Sequence, residues 1–252
     1  MFDIHYVPYN WGVLPQIYGV SSYSIMVGLG ILVGLFYYFV DARKRKVKGE
    51  NVVIIIFAAL FGGSIGAKLP LWLMNYKLVI TGRPDIFLEG KTIVGGFLGG
   101  VIAVILIKRL MHIKIKLGNV IAPAIAIGMA IGRIGCFLGG CCFGKVCTWG
   151  IDFGDGLRRI PTQLFEVAFH FTAFVALIIV KDRFNKPGIL FKYYIITYLI
   201  FRFVTEFFRE NQLLWGYMTL YQILSLVGII LVLRNEIMKY LVIKSKIDTA
   251  TD

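Results

Sequence analysis

Charged residues are scarce in this 252-residue chain: they make up 16% of it, against 58% hydrophobic and 15% aromatic residues. The mean hydropathy of +0.77 lies well above that of soluble globular proteins. Long polar segments and low-complexity segments are also lacking, and no Lys or Arg precedes Arg43, as the basic leader of a secretory signal peptide would require. The composition indicates an integral membrane protein, with residues 1–252 forming one polytopic membrane domain and the first apolar segment retained.

Seven apolar stretches are long enough to cross a bilayer, which takes roughly 20 residues of helix at a rise of about 1.5 Å per residue. We therefore expect an all-α integral membrane protein with about seven transmembrane helices. The stretches lie near residues 21–40, 52–74, 92–112, 118–138, 161–180, 188–208 and 217–234.

The connections between these stretches alternate in their content of Lys and Arg. Sixteen lie in residues 41–50, 108–116, 181–187 and 234–252, and seven lie in 75–91, 139–160 and 209–216. The positive-inside rule then places the N-terminus outside, the C-terminus in the cytoplasm and the 139–160 loop on the outer face of a bacterial cytoplasmic (inner) membrane. Because topology explains the net charge of +13, no nucleic-acid partner is expected.

Glycine is concentrated in the second and third spans, in FGGSIG at 61–66 and VGGFLGG at 94–100. Small residues at such spacing favour close helix packing in lipid. The alternative is a break between Gly95 and Gly100, where free backbone N–H groups approach a lipid phosphate. On that second interpretation Gly95 and Gly96 are candidate substrate-binding residues.

Several charged side chains lie inside the predicted spans, where each costs about 2.5–3.5 kcal/mol at the bilayer centre. Arg133 lies in the fourth span. In the sixth, YLIFRFVTEFFREN repeats Tyr198, Arg202, Glu206 and Arg209 at intervals of four, four and three, which predicts one polar helical face. Arg202 and Glu206 have the spacing of an ion pair, so mutual neutralisation is the structural alternative to a binding role.

The fifth span carries a polar face of its own in PTQLFEVAFH. Gln163, Glu166 and His170 recur at intervals of three and four residues; the histidine is interpreted as a packed residue rather than a ligand. With Arg133 and Arg202, these spans predict a polar cavity within an apolar bundle. Its arginines favour an anionic substrate, for which an anionic phospholipid is the simplest candidate.

Four segments in order resemble the prolipoprotein diacylglyceryl transferase family. GRIGCFLGGCCFGK is similar to the family pattern G-R-x-G-N-F-x-N-G-E-x-x-G, and RIPTQLFE is similar to R-H-P-S/T-Q-L-Y-E. Tyr198 with FRFVTEFFRE and the Q-x-L-S element of MTLYQILSL also match, and SYSIM adds Tyr23 near the first span.

The resemblance implies a seven-helix enzyme that moves diacylglyceryl from phosphatidylglycerol to the lipobox cysteine of a prolipoprotein, with glycerol phosphate released and no cofactor. It further implies catalytic roles for Arg133 and Arg202 on the lipid phosphate, for Glu206 in orienting Arg202, and for Tyr198 or Glu166 as base. Finally, the resemblance predicts substrate-binding roles for Tyr23, Gly135, Gly144, Gln163 and Arg209.

This sequence departs from the family pattern at several positions. Val94 replaces the histidine of a glycine-rich family motif, and Ile160 replaces the histidine of R-H-P. Cys136 replaces an asparagine of the first pattern, and Cys141 replaces its glutamate. The alternatives are therefore a related phospholipid-dependent transferase with another acceptor, or a noncatalytic lipid-binding or transport protein. Membrane lipids are partners in every case.

The four cysteines, Cys136, Cys141, Cys142 and Cys147, all lie within twelve residues. A disulfide that stiffens the outer loop is one interpretation, since the predicted compartment permits it. A tetrahedral zinc site is the weaker one, because the run C-x4-C-C-x4-C supplies four thiols but is not the usual zinc-binding arrangement, and no metal is predicted. Free thiols are the remaining interpretation.

Overall fold

The computed structural model describes residues 11–44, 49–74, 93–113, 118–184, 186, 188–211, 213–214 and 216–234. Seven α-helices occur in these ranges, one at each predicted apolar stretch, which confirms the mostly helical fold. They are α1 Ser22–Lys44, α2 Gly49–Met74, α3 Ile93–Leu110, α4 Gly118–Leu138, α5 Thr162–Val180, α6 Ile189–Thr205 and α7 Leu220–Arg234.

Three of the helices, α1, α4 and α5, are long and apolar enough to cross a bilayer. Large apolar side chains stand open on helix surfaces: Phe36 is 72% exposed, Ile179 63% and Ile230 61%. Apolar surface on this scale is unfavourable in water and suits contact with lipid tails. Seven membrane crossings and the sides on which the ends lie remain predictions.

The described residues also form three antiparallel two-stranded sheets, which were not predicted from the sequence: one precedes α1, one lies between α4 and α5, and one lies between α6 and α7. The longest strand lies in the 139–160 loop and pairs Ile151 with Arg159 and Asp152 with Arg158. Gly154 and Gly156 turn the chain between its strands, with φ of 112° and 76°. The strands are β1 Gln16–Ile17, β2 Val20–Ser21, β3 Val146–Asp152, β4 Arg158–Arg159, β5 Leu213–Leu214 and β6 Met218–Thr219.

The chain divides into two compact units. The first comprises Met1–Tyr38 and Lys116–Asp252, and the second comprises Phe39–Ile115. The single membrane domain expected over residues 1–252 stays a prediction.

In the second unit, α2 and α3 meet through glycine. A Cβ atom built on Gly99 would lie 2.7 Å from the Gly66 Cα, so the backbones approach too closely for any side chain there. This confirms the prediction of close helix packing. The alternative break between Gly95 and Gly100 is wrong, because α3 runs as one helix through both residues.

In the first unit, α4 is the central helix and also uses small residues for close contact. A Cβ on Gly30 of α1 would lie 2.6 Å from the Gly128 carbonyl oxygen of α4, and one on Gly34 would lie 2.9 Å from that of Ala124. On another side, α4 packs against α5 and α6. The apolar core between these three helices consists of Ala122, Ala126, Leu177, Leu190 and Tyr194.

Asn119 fixes the start of α4 against the connection between α5 and α6. Its amide nitrogen donates to the carbonyl oxygen of Lys186 at 3.1 Å, and its side-chain oxygen accepts from the Leu190 backbone N–H, also at 3.1 Å. One buried amide thus satisfies backbone groups that a helix start would leave unpaired.

The Gly66→Ala substitution is expected to destabilise the second unit by about 1–3 kcal/mol, the usual cost of overpacking. The added methyl group would meet the α3 backbone at Gly99, 2.7 Å away. The matched control is Gly63→Ala on the same helix, where the nearest atom, the Gly96 oxygen, is 3.4 Å away. Thermal unfolding in detergent measures both, and equal midpoints would contradict this packing.

Candidate functional site

Glu166 of α5 is fully buried and accepts from arginines on two different segments. Arg133 of α4 forms an ion pair with its Oε2 atom, and Arg209 donates to its Oε1 atom at 2.6 Å. The Nη1 atom of Arg202 lies 3.8 Å from the same Oε1 atom. Three guanidinium groups therefore converge on one carboxylate.

Glu206 is the second carboxylate of this group, which we call the arginine cluster: Arg133, Glu166, Arg202, Glu206 and Arg209. The Nη2 atom of Arg202 lies 3.0 Å from the Glu206 Oε2 atom, so the ion pair expected from the i, i+4 spacing is confirmed. All five side chains are buried, none more than 8% exposed.

Three arginines against two glutamates give the arginine cluster one excess positive charge. Several of its guanidinium nitrogens also lack a hydrogen-bond partner among the described residues, namely Arg133 Nε, Arg202 Nη1 and Arg209 Nε. A buried charged donor without a partner carries a desolvation cost of a few kcal/mol. Excess positive charge and unused donors together suit an anionic ligand.

The turn after α6 brings Arg209 into the arginine cluster. The single helical face predicted for Tyr198, Arg202, Glu206 and Arg209 is wrong in its second half, because α6 ends at Thr205. Glu206–Phe208 forms one turn of 3-10 helix, and Arg209 is extended, with φ of −100° and ψ of 152°. The 3-10 turn changes the direction of the chain, and Arg209 therefore reaches Glu166.

The polar face predicted for α5 is confirmed, since Gln163, Glu166 and His170 are all fully buried. The Nδ1 atom of His170 lies 2.9 Å from the Tyr194 hydroxyl oxygen. Its ring packs near that of Tyr198, 4.9 Å between centroids. The histidine is thus packed between aromatic groups, as interpreted from the sequence, and Tyr198 is partly buried beside it.

The other predicted binding residues are distributed over both units. Tyr23 and Gly135 meet where α1 crosses α4: a Cβ on the glycine would lie 3.2 Å from the tyrosine carbonyl oxygen. Gly144 donates to the Ile160 carbonyl oxygen at 2.8 Å and has no room for a side chain. Gly95 and Gly96 belong to the second unit. Their substrate-binding roles stay predictions.

A charged contact ties the β3–β4 hairpin to the end of the 3-10 turn. Arg159 donates to Asp155 at 2.6 Å and to Glu210 at 2.8 Å, and its guanidinium lies 4.7 Å from the centre of the Phe143 ring. Burial raises the pKa of Asp155, but hydrogen bonds from Arg159 and the Leu157 backbone N–H outweigh it, so the pKa lies below its usual value. The ionised pair holds the hairpin beside the residue that follows Arg209.

Two residues of the site were missed from the sequence. Asn211 donates to the Oε1 atom of Glu206, and the Arg202 guanidinium lies 5.0 Å from the centre of the Tyr221 ring. Helical periodicity indicated neither residue. Asn211 follows the 3-10 turn, outside the helices, and Tyr221 lies on α7, for which no polar face was predicted. Tyr221 falls within MTLYQILSL, and this match is the signal that marked the segment.

The cysteines separate into a group of three and one remote residue. The Sγ atoms of Cys136, Cys141 and Cys142 all lie within 4.8 Å of one another, while Cys147 lies on β3 outside the group. All four are free thiols, so the disulfide considered from the sequence is not formed in this structure.

Comparison with known proteins agrees with this combination of apolar helices and a buried arginine cluster. The family model described as prolipoprotein diacylglyceryl transferase matches residues 13–235. Relatives named phosphatidylglycerol-prolipoprotein diacylglyceryl transferase include one from Clostridium tetani, 29% identical over 79% of this chain and 85% of the relative. One from Geobacter sulfurreducens is 30% identical over 81% and 84%, and one from Listeria innocua is 28% identical over 84% and 83%.

The family match identifies the class as a membrane transferase, and the described residues give this chain a buried arginine cluster. The chain belongs to the prolipoprotein diacylglyceryl transferase family, whose model covers nearly all of its described residues.

Replacing Glu166 with glutamine is expected to destabilise the first unit by about 3–5 kcal/mol, the usual cost of removing one partner from a buried ion pair. Arg133 and Arg209 would then lie close together without their shared anion. The matched control is Glu210→Gln, since that carboxylate is 63% exposed and its pair contributes about 0–1 kcal/mol. Unfolding in detergent, followed by tryptophan fluorescence, compares them; similar losses would contradict the central role of Glu166.

Proposed function

We propose that this protein transfers the diacylglyceryl group of phosphatidylglycerol to the thiol of a lipobox cysteine in a prolipoprotein, releasing glycerol phosphate. The observation that carries the proposal is the arginine cluster, with its excess positive charge and unpaired donors inside an apolar helical unit. The names of the relatives supply the donor and the acceptor. The lipobox itself enters from the family resemblance.

The arginine cluster fits the phosphodiester of the donor lipid. Planar guanidinium groups bind phosphate oxygens through paired N–H donors, and Arg133 and Arg202 each have an unused donor for this purpose. In an apolar interior such contacts are stronger than in water, because little solvent screens them. Lipid can reach this depth by diffusing from the membrane, whereas a soluble phosphate would first lose its hydration.

The reaction forms one bond and breaks one. The acceptor sulfur, as thiolate, attacks the glycerol carbon that carries the phosphate, so a carbon–sulfur bond forms and the carbon–oxygen bond breaks. The electron pair stays on the phosphate oxygen, and glycerol phosphate leaves as the dianion. Cations placed at this oxygen stabilise the charge that develops there, and removing one such contact typically reduces the rate about 10²–10³-fold.

The contacts of Glu166 and Glu206 suit positioning more than proton transfer. Both Glu166 oxygens are engaged by guanidinium groups, and Glu206 contacts Arg202 and Asn211. Each carboxylate therefore fixes the direction of an arginine. Of the two candidate bases, Tyr198 remains the proposed one, and it too interacts with Arg133.

We also propose that the chain crosses the bacterial cytoplasmic membrane seven times, with the β3–β4 hairpin outside. The distribution of Lys and Arg supports this orientation, and the three helices long and apolar enough to span a bilayer support crossing of the membrane. Prolipoprotein reaches an active site near the outer end of α4 once its signal segment has entered the membrane.

The activity test incubates the purified protein with phosphatidylglycerol, labelled in its glycerol headgroup, and a lipobox peptide. Release of labelled glycerol phosphate and a peptide mass increased by diacylglyceryl are expected together. Arg133→Gln is expected to reduce kcat/KM about 100-fold or more. Arg158→Gln, an exposed hairpin arginine, is the matched control and should retain the wild-type rate.

Three other results would each redirect the assignment. Glycerol phosphate released without peptide modification indicates another acceptor. Lipid binding without release of glycerol phosphate indicates a noncatalytic lipid carrier. An equal loss of kcat/KM in Arg133→Gln and Arg158→Gln means that the arginine cluster has no special role in the reaction. Arg133→Lys separates charge from geometry, because it keeps the charge and loses the paired donors.

The orientation is tested by labelling single cysteines in a variant whose four native cysteines are serine. Thr148→Cys on the exposed face of β3 should react with a membrane-impermeant maleimide in intact cells. Lys44→Cys at the exposed end of α1 should react only after the membrane is permeabilised. The reverse pattern would invert the proposed topology.

A further inference from the structure

The three-cysteine group lies at the outer end of α4, next to the arginine cluster. Cys136 is buried in the last turn of the helix, Cys141 is half-buried and Cys142 is exposed, and their Sγ atoms lie within 4.8 Å of one another. The group therefore leads from the protein interior to the surface. The guanidinium Nη1 atom of Arg133 lies 3.9 Å from the Cys136 sulfur at its inner end.

Two residues in the left-handed conformation bring these sulfurs together. Gly140 and Cys142 both have φ of 63°, and the Cys141 backbone N–H donates to the Cys136 carbonyl oxygen at 3.0 Å. Adjacent side chains in an extended chain point in opposite directions. The turn overcomes this by holding Cys142, a non-glycine residue, in the left-handed conformation, which is a strained state associated with functional sites.

Two buried side chains of α5 hold the turn from behind. The Gln163 amide donates to the Cys141 carbonyl oxygen at 2.8 Å, and the Thr162 hydroxyl donates to that of Cys142 at 2.9 Å. Both side chains are fully buried. The backbone at each of the two adjacent cysteines is thus fixed by a hydrogen bond from another helix, which preorganises the sulfur positions.

We propose that Cys136, Cys141 and Cys142 bind a thiophilic divalent cation of the zinc type, with the fourth coordination position left for an incoming thiol. Tetrahedral zinc binds thiolates at about 2.3 Å, which places its sulfur ligands about 3.8 Å apart. The observed limit of 4.8 Å requires only small side-chain adjustments. Three protein ligands and one open position are typical of catalytic rather than structural zinc.

The three-cysteine group has a positive charge at its inner end and an opening to the surface at its outer end. Arg133 places a positive charge at the Cys136 sulfur, and the exposed position of Cys142 gives ions and ligands a route to the group. The spacing along the sequence disfavoured zinc because four cysteines were considered together. The structure leaves Cys147 on β3, and the remaining three form a group that linear spacing does not reveal.

The following role rests on the proposed function. The acceptor cysteine would bind as the fourth ligand and lose its proton to solvent, since a metal-coordinated thiol is deprotonated. Its sulfur then forms the bond to the glycerol carbon as the carbon–oxygen bond breaks, and the electron pair remains on the phosphate oxygen beside the arginine cluster. The two neighbouring sites would thus hold the two substrates.

Metal binding is tested on the full-length protein in detergent, with the thiols first shown to be reduced by titration. Cobalt(II) should bind at one ion per chain and produce a thiolate-to-cobalt charge-transfer band, which zinc(II) should abolish by displacement. Cys142→Ser and Cys141→Ser should each weaken binding at least about 10-fold, since losing even an outer contact of a metal site costs about that much. Cys147→Ser is the matched control and should bind as wild type.

The proposal is overturned by reduced protein that gives no charge-transfer band, by binding that persists in Cys142→Ser, or by a disulfide within the group in protein isolated without reductant. All these readouts are independent of turnover. The charge-transfer band and the disulfide are measured on the unaltered protein, so the test does not depend on the fold of a single variant or on the transfer assay.

A second measurement separates this site from the proposed function. A lipobox peptide should shift the cobalt spectrum, and the same peptide with serine in place of its cysteine should not. If cobalt binds and the peptide shifts its spectrum but no lipid is transferred, the proposed function fails and the site stands. If transfer continues after a chelator has removed all metal, the proposed function stands and the role of the metal fails.

Discussion

The first unit depends on the carboxylate of Glu166, which allows several arginines to be buried in one apolar interior. Arg133 and Arg209 come from segments far apart in the sequence, and both contact this one side chain. Without a shared anion, their mutual repulsion in a medium of low dielectric would separate the segments. Guanidinium donors of the same arginine cluster lack partners among the described residues, so the contact that stabilises the packing also belongs to the proposed phosphate site.

Close backbone contact is the second constraint, and it explains the glycine content. At Gly30 in the first unit and Gly66 in the second, a carbonyl oxygen or Cα atom of a neighbouring helix occupies the space of a side chain. Lipid tails are as apolar as leucine, so helices gain little by burying large side chains against each other, and short distances between backbones supply the attraction instead. Glycine here is primarily a packing residue.

The segment from Gly132 to Lys145 links the two parts of the proposed chemistry. Its arginine enters the arginine cluster, and its three cysteines form a compact group. Two of them, Cys136 and Cys141, stand where the family pattern has an asparagine and a glutamate. Gln163 and Glu166 lie one turn apart on α5 and contact the cysteine turn and the arginines, respectively. Movement of this helix would therefore change both groups together.

The sequence by itself determined the seven helices and the polar face of α5, because hydrophobic length and local periodicity depend only on neighbours along the chain. It also identified Arg133 and Arg202, since charge inside an apolar run needs an explanation. Only the tertiary structure decided that Arg209 joins them through a 3-10 turn, that Asn211 and Tyr221 take part, and that three cysteines of four meet. These results depend on how turns redirect the chain, and contacts between segments distant in sequence leave no periodic signal.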